Sequence, residues 1–142
     1  MKKREDKMYE LESLMRSIFR QLRNEINVVL GSVLSRNEFI ILKSLKENGP
    51  LNASNLAKEL DVSASHITAV TDSLLSKELI TRKRSPSDRR ITLIDLTDAG
   101  QTVLHELEKK KTEYFSERFD CFSDEELQNL ILLFGKLDRT KP

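Results

Sequence analysis

The chain has 142 residues with 24 Lys+Arg against 23 Asp+Glu and 38% hydrophobic residues, a balance that excludes the apolar-poor, highly charged composition of disordered chains and gives about one domain's length. Four glycines and three prolines amount to about 5%, against an ordinary share of roughly 12%, so turns are few and long helices are expected over an all-β sandwich. The single cysteine excludes an intramolecular disulfide framework, and neither a leader-like apolar run after residues 1–7 nor a bilayer-length one is found, so a soluble cytoplasmic protein without membrane contact is the expectation.

Leu11, Leu14, Met15, Ile18, Phe19, Leu22, Ile26, Val29 and Leu30 recur at three- and four-residue steps with Glu12, Arg16, Arg20 and Arg23 between them. That spacing predicts one long amphipathic helix ending at Gly31. Ser35-Arg36-Asn37-Glu38 matches a capping box and should open a second helix with Phe39, Ile40, Leu42 and Leu45 inward. Asn48-Gly49-Pro50 should stop it. Asn52 can cap a short helix over 53–60 with Leu56, Ala57 and Leu60 inward, and Ser63 can cap another reaching about 77 with Ile67, Val70 and Leu74 inward. The two, joined by Asp61-Val62-Ser63, have the dimensions of a helix-turn-helix over 53–76.

The period then changes from helix to strand. Leu79-Ile80-Thr81-Arg82 and Ile91-Thr92-Leu93-Ile94-Asp95-Leu96 flank the turn-forming Ser85-Pro86-Ser87-Asp88, which predicts a β-hairpin over 79–96. Thr97 should cap the next helix, carrying Val103, Leu104, Leu107, Tyr114 and Phe115 towards Phe119. A last helix should open at the capping box Ser123-Asp124-Glu125-Glu126 and bury Leu127, Leu130, Ile131, Phe134 and Leu137. Residues 1–35, 36–97 and 98–142 carry +2, +2 and −3, yet 82–90 alone carry +4. A neutral total conceals a basic hairpin tip.

A helix-turn-helix followed at once by a two-stranded hairpin is a winged helix, and a helix of about 10–12 Å diameter fits the major groove of B-DNA. The outward residues of its second helix, Ser65, His66, Thr68, Ala69 and Asp72, are short and mostly polar, as close approach to base edges requires. Asp72 would repel phosphate and is expected to position neighbours. Ser63 and the free amides beside it suit a phosphate.

The stretch 51–100 resembles the MarR family of transcriptional regulators through Leu56-Ala57, Val62-Ser63, Leu79-Ile80-Thr81-Arg82, Asp88-Arg89-Arg90 and Leu96-Thr97-Asp98-Ala99-Gly100. The order of elements extends the likeness to nearly the whole chain. The family's Asp-x-Arg wing motif falls on Asp88 and Arg90, and the likeness implies that Asp88 holds the Arg90 guanidinium for the minor groove. Glu78 is a departure, since many members have glycine there. The resemblance implies a fold that is mainly α with a small β-hairpin wing: a winged helix-turn-helix lobe over 35–97, with long terminal helices over 1–34 and 98–142 that interlock two copies. DNA contact is expected at Ser63, Ser65, His66, Thr68, Ala69, Arg82, Arg84, Asp88, Arg89 and Arg90. The expected partners are a second copy, double-stranded DNA with a pseudo-palindromic site and a small-molecule effector of unidentified chemistry.

Repression relieved by such an effector or a stress signal is the expected function, with a winged-helix protein-interaction module as the alternative. No catalytic constellation or phosphate loop is recognisable. No cofactor or metal is expected, because His66, His105 and Cys121 lie far apart in the fold as read. Cys121 is read as an inert thiol, and Arg16, Phe19, Arg20 and Arg23 as packing and surface residues before they are read as an effector pocket.

Overall fold

A computed structural model describes residues 3–140; the ends of the expected 1–142 domain lie outside the described residues. Six helices and one hairpin follow the expected order, α1 (Arg4–Leu30), α2 (Arg36–Asn48), α3 (Ala53–Leu60), α4 (Ala64–Ser76), β1 (Ile80–Arg84), β2 (Thr92–Leu96), α5 (Asp98–Arg118) and α6 (Asp124–Leu137). Glu5 and Asp6 in the first turn of α1 complement its dipole. It ends where Gly31, at φ +64°, donates its amide to Asn27 and Val28.

Side-chain caps set the remaining starts. Ser35 accepts the Glu38 amide at 3.1 Å while the Glu38 carboxylate accepts the Ser35 amide at 2.9 Å. Asn52 accepts from Asn55 at 2.7 Å and Ser63 from His66 at 3.2 Å. Ser123 and Glu126 close a second reciprocal box. Thr97 accepts the Gly100 amide at 3.0 Å and donates to the Glu78 carbonyl at 2.8 Å, so the start of α5 is stitched to the turn before β1.

The strands pair antiparallel in the register Ile80–Leu96, Arg82–Ile94 and Arg84–Thr92. Leu51 extends this ladder by exchanging two backbone bonds with Ile94, at 3.1 and 2.7 Å. The first strand runs two residues further than the sequence pattern suggests, and Ile91 falls outside the second because its amide closes the wing turn on the Asp88 carbonyl at 3.0 Å.

Two backbone positions are tightly constrained. Glu78 sits at φ +61°, a left-handed conformation that costs an ordinary residue roughly 1–2 kcal/mol and that a glycine would adopt without that cost. At Gly100 a Cβ would collide with the Leu79 carbonyl, so only glycine lets α5 start this close to β1.

The chain divides into two compact units, the first ending at Lys111 and the second beginning at Thr112. The core lies in the first and joins Leu30, Leu34, Phe39, Ile41, Leu42, Leu45, Leu56, Ile67, Leu74, Ile80, Ile94, Leu104 and Leu107. Two expectations need correction. In α2 the inward isoleucine is Ile41, fully buried, while Ile40 is 40% exposed; with both positions isoleucine, only the packing of α2 decides between them. No residue of α6 is buried. Ile131, Phe134 and Leu137 are more than half exposed, because an amphipathic face is covered only where another element meets it.

Glu38 is the one buried acid among the described residues, 5% exposed. Besides the Ser35 amide it accepts from Ser73 at 3.1 Å and from Lys77 at 2.9 Å on each oxygen. Burial pushes its carboxyl up, but the Ser35 amide, Lys77 and Ser73 outweigh that and hold it below the ordinary value of 4.5. The stabilisation is therefore complete above that value and is lost as the pH falls through the lower folded value. Glu38→Gln should cost about 1–2 kcal/mol at pH 7, and urea midpoints measured from pH 7 down to 3 should fall less steeply for the variant than for the parent chain.

Candidate nucleic-acid interface

The outward face of α4 carries Ser65, Thr68, Ala69 and Asp72, all exposed, with Ser63 exposed at its N-cap. Ser63 and Ser65 pair through their hydroxyls at 3.1 Å, and the Thr68 hydroxyl donates to the Ala64 carbonyl at 3.0 Å. Small side chains folded onto their own helix leave this face shallow. His66 departs from the expectation, being half-buried rather than outward. Its Nε2 lies 3.0 Å from Asn37 Nδ2 on α2. Helical spacing alone could not reveal this, since the partner is 29 residues away.

Strand alternation divides the basic cluster. Arg82 and Arg84 share the hairpin face of Ile80 and Ile94, whereas Lys83 points to the other, opposite Leu93. Arg82 is therefore not a tip residue: it donates to Asp72 at 2.8 Å and to Thr71 at 3.2 Å, both on α4. Thr71, only 1% exposed, passes its own hydrogen back to the Ile67 and Thr68 carbonyls. The expected positioning role of Asp72 thus has a geometry, an ion pair that braces the wing against α4.

At the tip, the Ser85 amide closes on the Ile91 carbonyl at 2.8 Å, and Arg84 donates to the Arg89 carbonyl at 2.9 Å. Asp88 accepts the Arg90 amide at 3.0 Å and, through its two oxygens, Nε and Nη2 of the same arginine at 3.1 Å each. Arg90's side-chain bonds, then its amide, hold the Asp88 carboxyl below its ordinary value. The Arg90 side chain stays 90% exposed. A bidentate fork gives direction to a charge that remains free to meet a second anion. Lys83 and Arg89 are exposed, and among the described residues neither side chain has a partner.

Among the described residues no group of three metal-ligating side chains occurs, and Cys121 is exposed. Arg16 is occupied by Glu12 at 2.8 Å and Phe19 is half exposed. Of the four residues weighed for an effector, Arg23 lines a cleft of about 330 Å³ with Asn27, Gly31, Leu34, Ser35, Arg36 and Asn37.

A helix-turn-helix braced to a basic hairpin defines a winged-helix protein of the kind that reads duplex DNA. The MarR family profile matches residues 34–92. The chain is 56% identical over 141 residues to the uncharacterized HTH-type transcriptional regulator YpoP of Bacillus subtilis (strain 168), covering 99% of this chain and 100% of that one. It is 25% identical over 138 residues to the HTH-type transcriptional repressor MdtR of the same organism, covering 96% and 89%. A MarR family protein of Bacillus stearothermophilus superposes with a TM-score of 0.84 at 26% identity, covering 96% of each chain. The chain belongs to the MarR family and is an HTH-type transcriptional regulator.

The brace between Asp72 and Arg82 is solvent-facing, so its energy is small. A double-mutant cycle with Asp72→Ala and Arg82→Ala should give a coupling of about 0.5 kcal/mol in urea unfolding, shrinking in 1 M salt.

Proposed function

We propose that the protein is a homodimeric repressor that binds a pseudo-palindromic duplex site, α4 lying in the major groove and the wing reaching the adjacent minor groove. The observation that carries this is Arg90, aimed by Asp88 yet almost fully exposed at the tip of a hairpin braced to α4. An arginine so held matches the enhanced negative potential of a narrow A/T-rich minor groove. Ser63 and Ser65 take phosphate at the start of α4, while His66, Thr68 and Ala69 meet base edges. Arg89 adds phosphate contact at the tip, and Arg82 and Arg84 serve mainly to hold the wing in place. The lobe is 35–97, and 1–34 and 98–142 join the two copies.

The dimer is supported by apolar surface that one chain leaves uncovered. On α6 Ile131, Leu133, Phe134 and Leu137 are exposed, and on α1 so are Met8, Tyr9, Leu11 and Leu14, more than isolated surface hydrophobes amount to. A second copy covers them. Repression follows the likeness to MdtR, release falls to a small molecule or stress signal, and the DNA partner makes the location cytoplasmic. The alternative of a winged-helix interaction module without DNA binding leaves the exposed Arg90 fork without a task.

The test is salt-dependent binding to duplexes selected from a random pool. Affinity should fall steeply between 50 and 200 mM salt, with a log–log slope reporting the phosphates neutralised. Arg90→Ala should weaken binding about tenfold and reduce that slope by about 1. A flat salt response, or an Arg90→Ala chain that binds as the parent does, contradicts the reading.

A further inference from the structure

The first turn of α2 touches the DNA-facing helix at two places. Glu38 takes Ser73 and the C-cap residue Lys77 at its far end, and Asn37 takes His66 near its start. An amide nitrogen carries hydrogens and no acceptor lone pair, so Asn37 Nδ2 donates across the 3.0 Å contact and His66 Nε2 accepts. Acceptance at Nε2 leaves the ring's hydrogen on Nδ1, which has no partner among the described residues. The Ser35–Glu38 capping box fixes the backbone turn that carries Asn37.

We propose that Asn37, a residue of α2 outside the helix-turn-helix, is a specificity-determining positioning residue: it holds His66 in the tautomer that offers the groove a hydrogen-bond donor. This rests on the DNA-binding reading above. A fixed donor favours base edges rich in acceptors, namely N7 and O6 of guanine, N7 of adenine and O4 of thymine, and disfavours the amino group of cytosine. Released from Asn37, the imidazole exchanges its hydrogen between the two nitrogens and can serve either kind of edge. Asn37 thereby narrows the readout of His66 without touching DNA.

Two measurements on the full-length protein test this. Long-range proton–nitrogen spectra of the free protein at pH 8 should show His66 protonated at Nδ1 and bare at Nε2, and Asn37→Ala should introduce the other tautomer. Selection from a random duplex pool should then reveal one position in each half-site whose preference is relaxed both by His66→Ala and by Asn37→Ala. Asn37→Ala should bind the parent's selected duplex about three- to tenfold more weakly, the worth of one hydrogen bond. The double variant should bind no worse than His66→Ala. A purely structural role would lower stability without moving base preference; the melting point of Asn37→Ala should stay within about 2–4 °C of the parent. A hydrogen on Nε2 in the free protein overturns the proposal, and so does an Asn37→Ala chain with the parent's preference at the position that His66→Ala relaxes. Failure of His66→Ala to relax any position also overturns it, while leaving DNA binding intact; failure of the parent chain to select any duplex overturns the DNA reading itself.

Discussion

The joint between α2 and α4 is built around a single carboxylate. Glu38 is carried inward by the first turn of α2, where it both completes that helix's cap and receives Ser73 and Lys77 from the far end of α4. A buried charge is tolerated only when its hydrogen bonds and its counter-charge are all supplied, and here the Ser35 amide, Ser73 and Lys77 supply them. The direction of α4 is thereby tied to the helix that precedes the helix-turn-helix. Lys77 also donates to the Val33 carbonyl at 3.2 Å, which brings the connection from α1 into the same joint. A change at the α1–α2 junction therefore has a short physical route to α4, through groups that are already hydrogen-bonded.

The second constraint is the brace between α4 and the wing. Asp72 and Arg82 fix the hairpin's base, and Asp88 and Arg90 fix the direction of charge at its tip. The two acids do the same thing at different heights: each lends an arginine an orientation. A chain of net charge +1 carries a basic wing because the compensating acids lie mostly outside 82–90, where Asp88 is the one acid, and 98–142 alone carry −3.

Most of the fold could be read from local chemistry. Ser35, Asn52, Ser63 and Ser123 cap the helices that the sequence pattern assigns to them, because a cap is decided by residues three apart. The Asp88–Arg90 fork was legible through the family motif and is likewise local. What escaped was set at long range. Ile40 and Ile41 are chemically identical, so only the core could choose between them. His66 looked outward by helical spacing, and its bond to Asn37 depends on how α2 lies against α4. Glu38 was visible as a cap but not as the partner of Lys77, 39 residues away. The apolar face of α6 was readable, yet none of its residues is buried, because helical spacing marks a face and not what lies against it.

In the function proposed above, α4 and the wing of two copies act as one two-fold reader of DNA. Hydroxyl-radical footprinting of a selected duplex tests it most directly. The expected result is two protected tracts related by a dyad, their centres separated by one helical turn of roughly 34–36 Å, each flanked by protection across the minor groove where the wing lies. A single unsymmetrical tract, or two tracts without minor-groove protection beside them, would contradict the account.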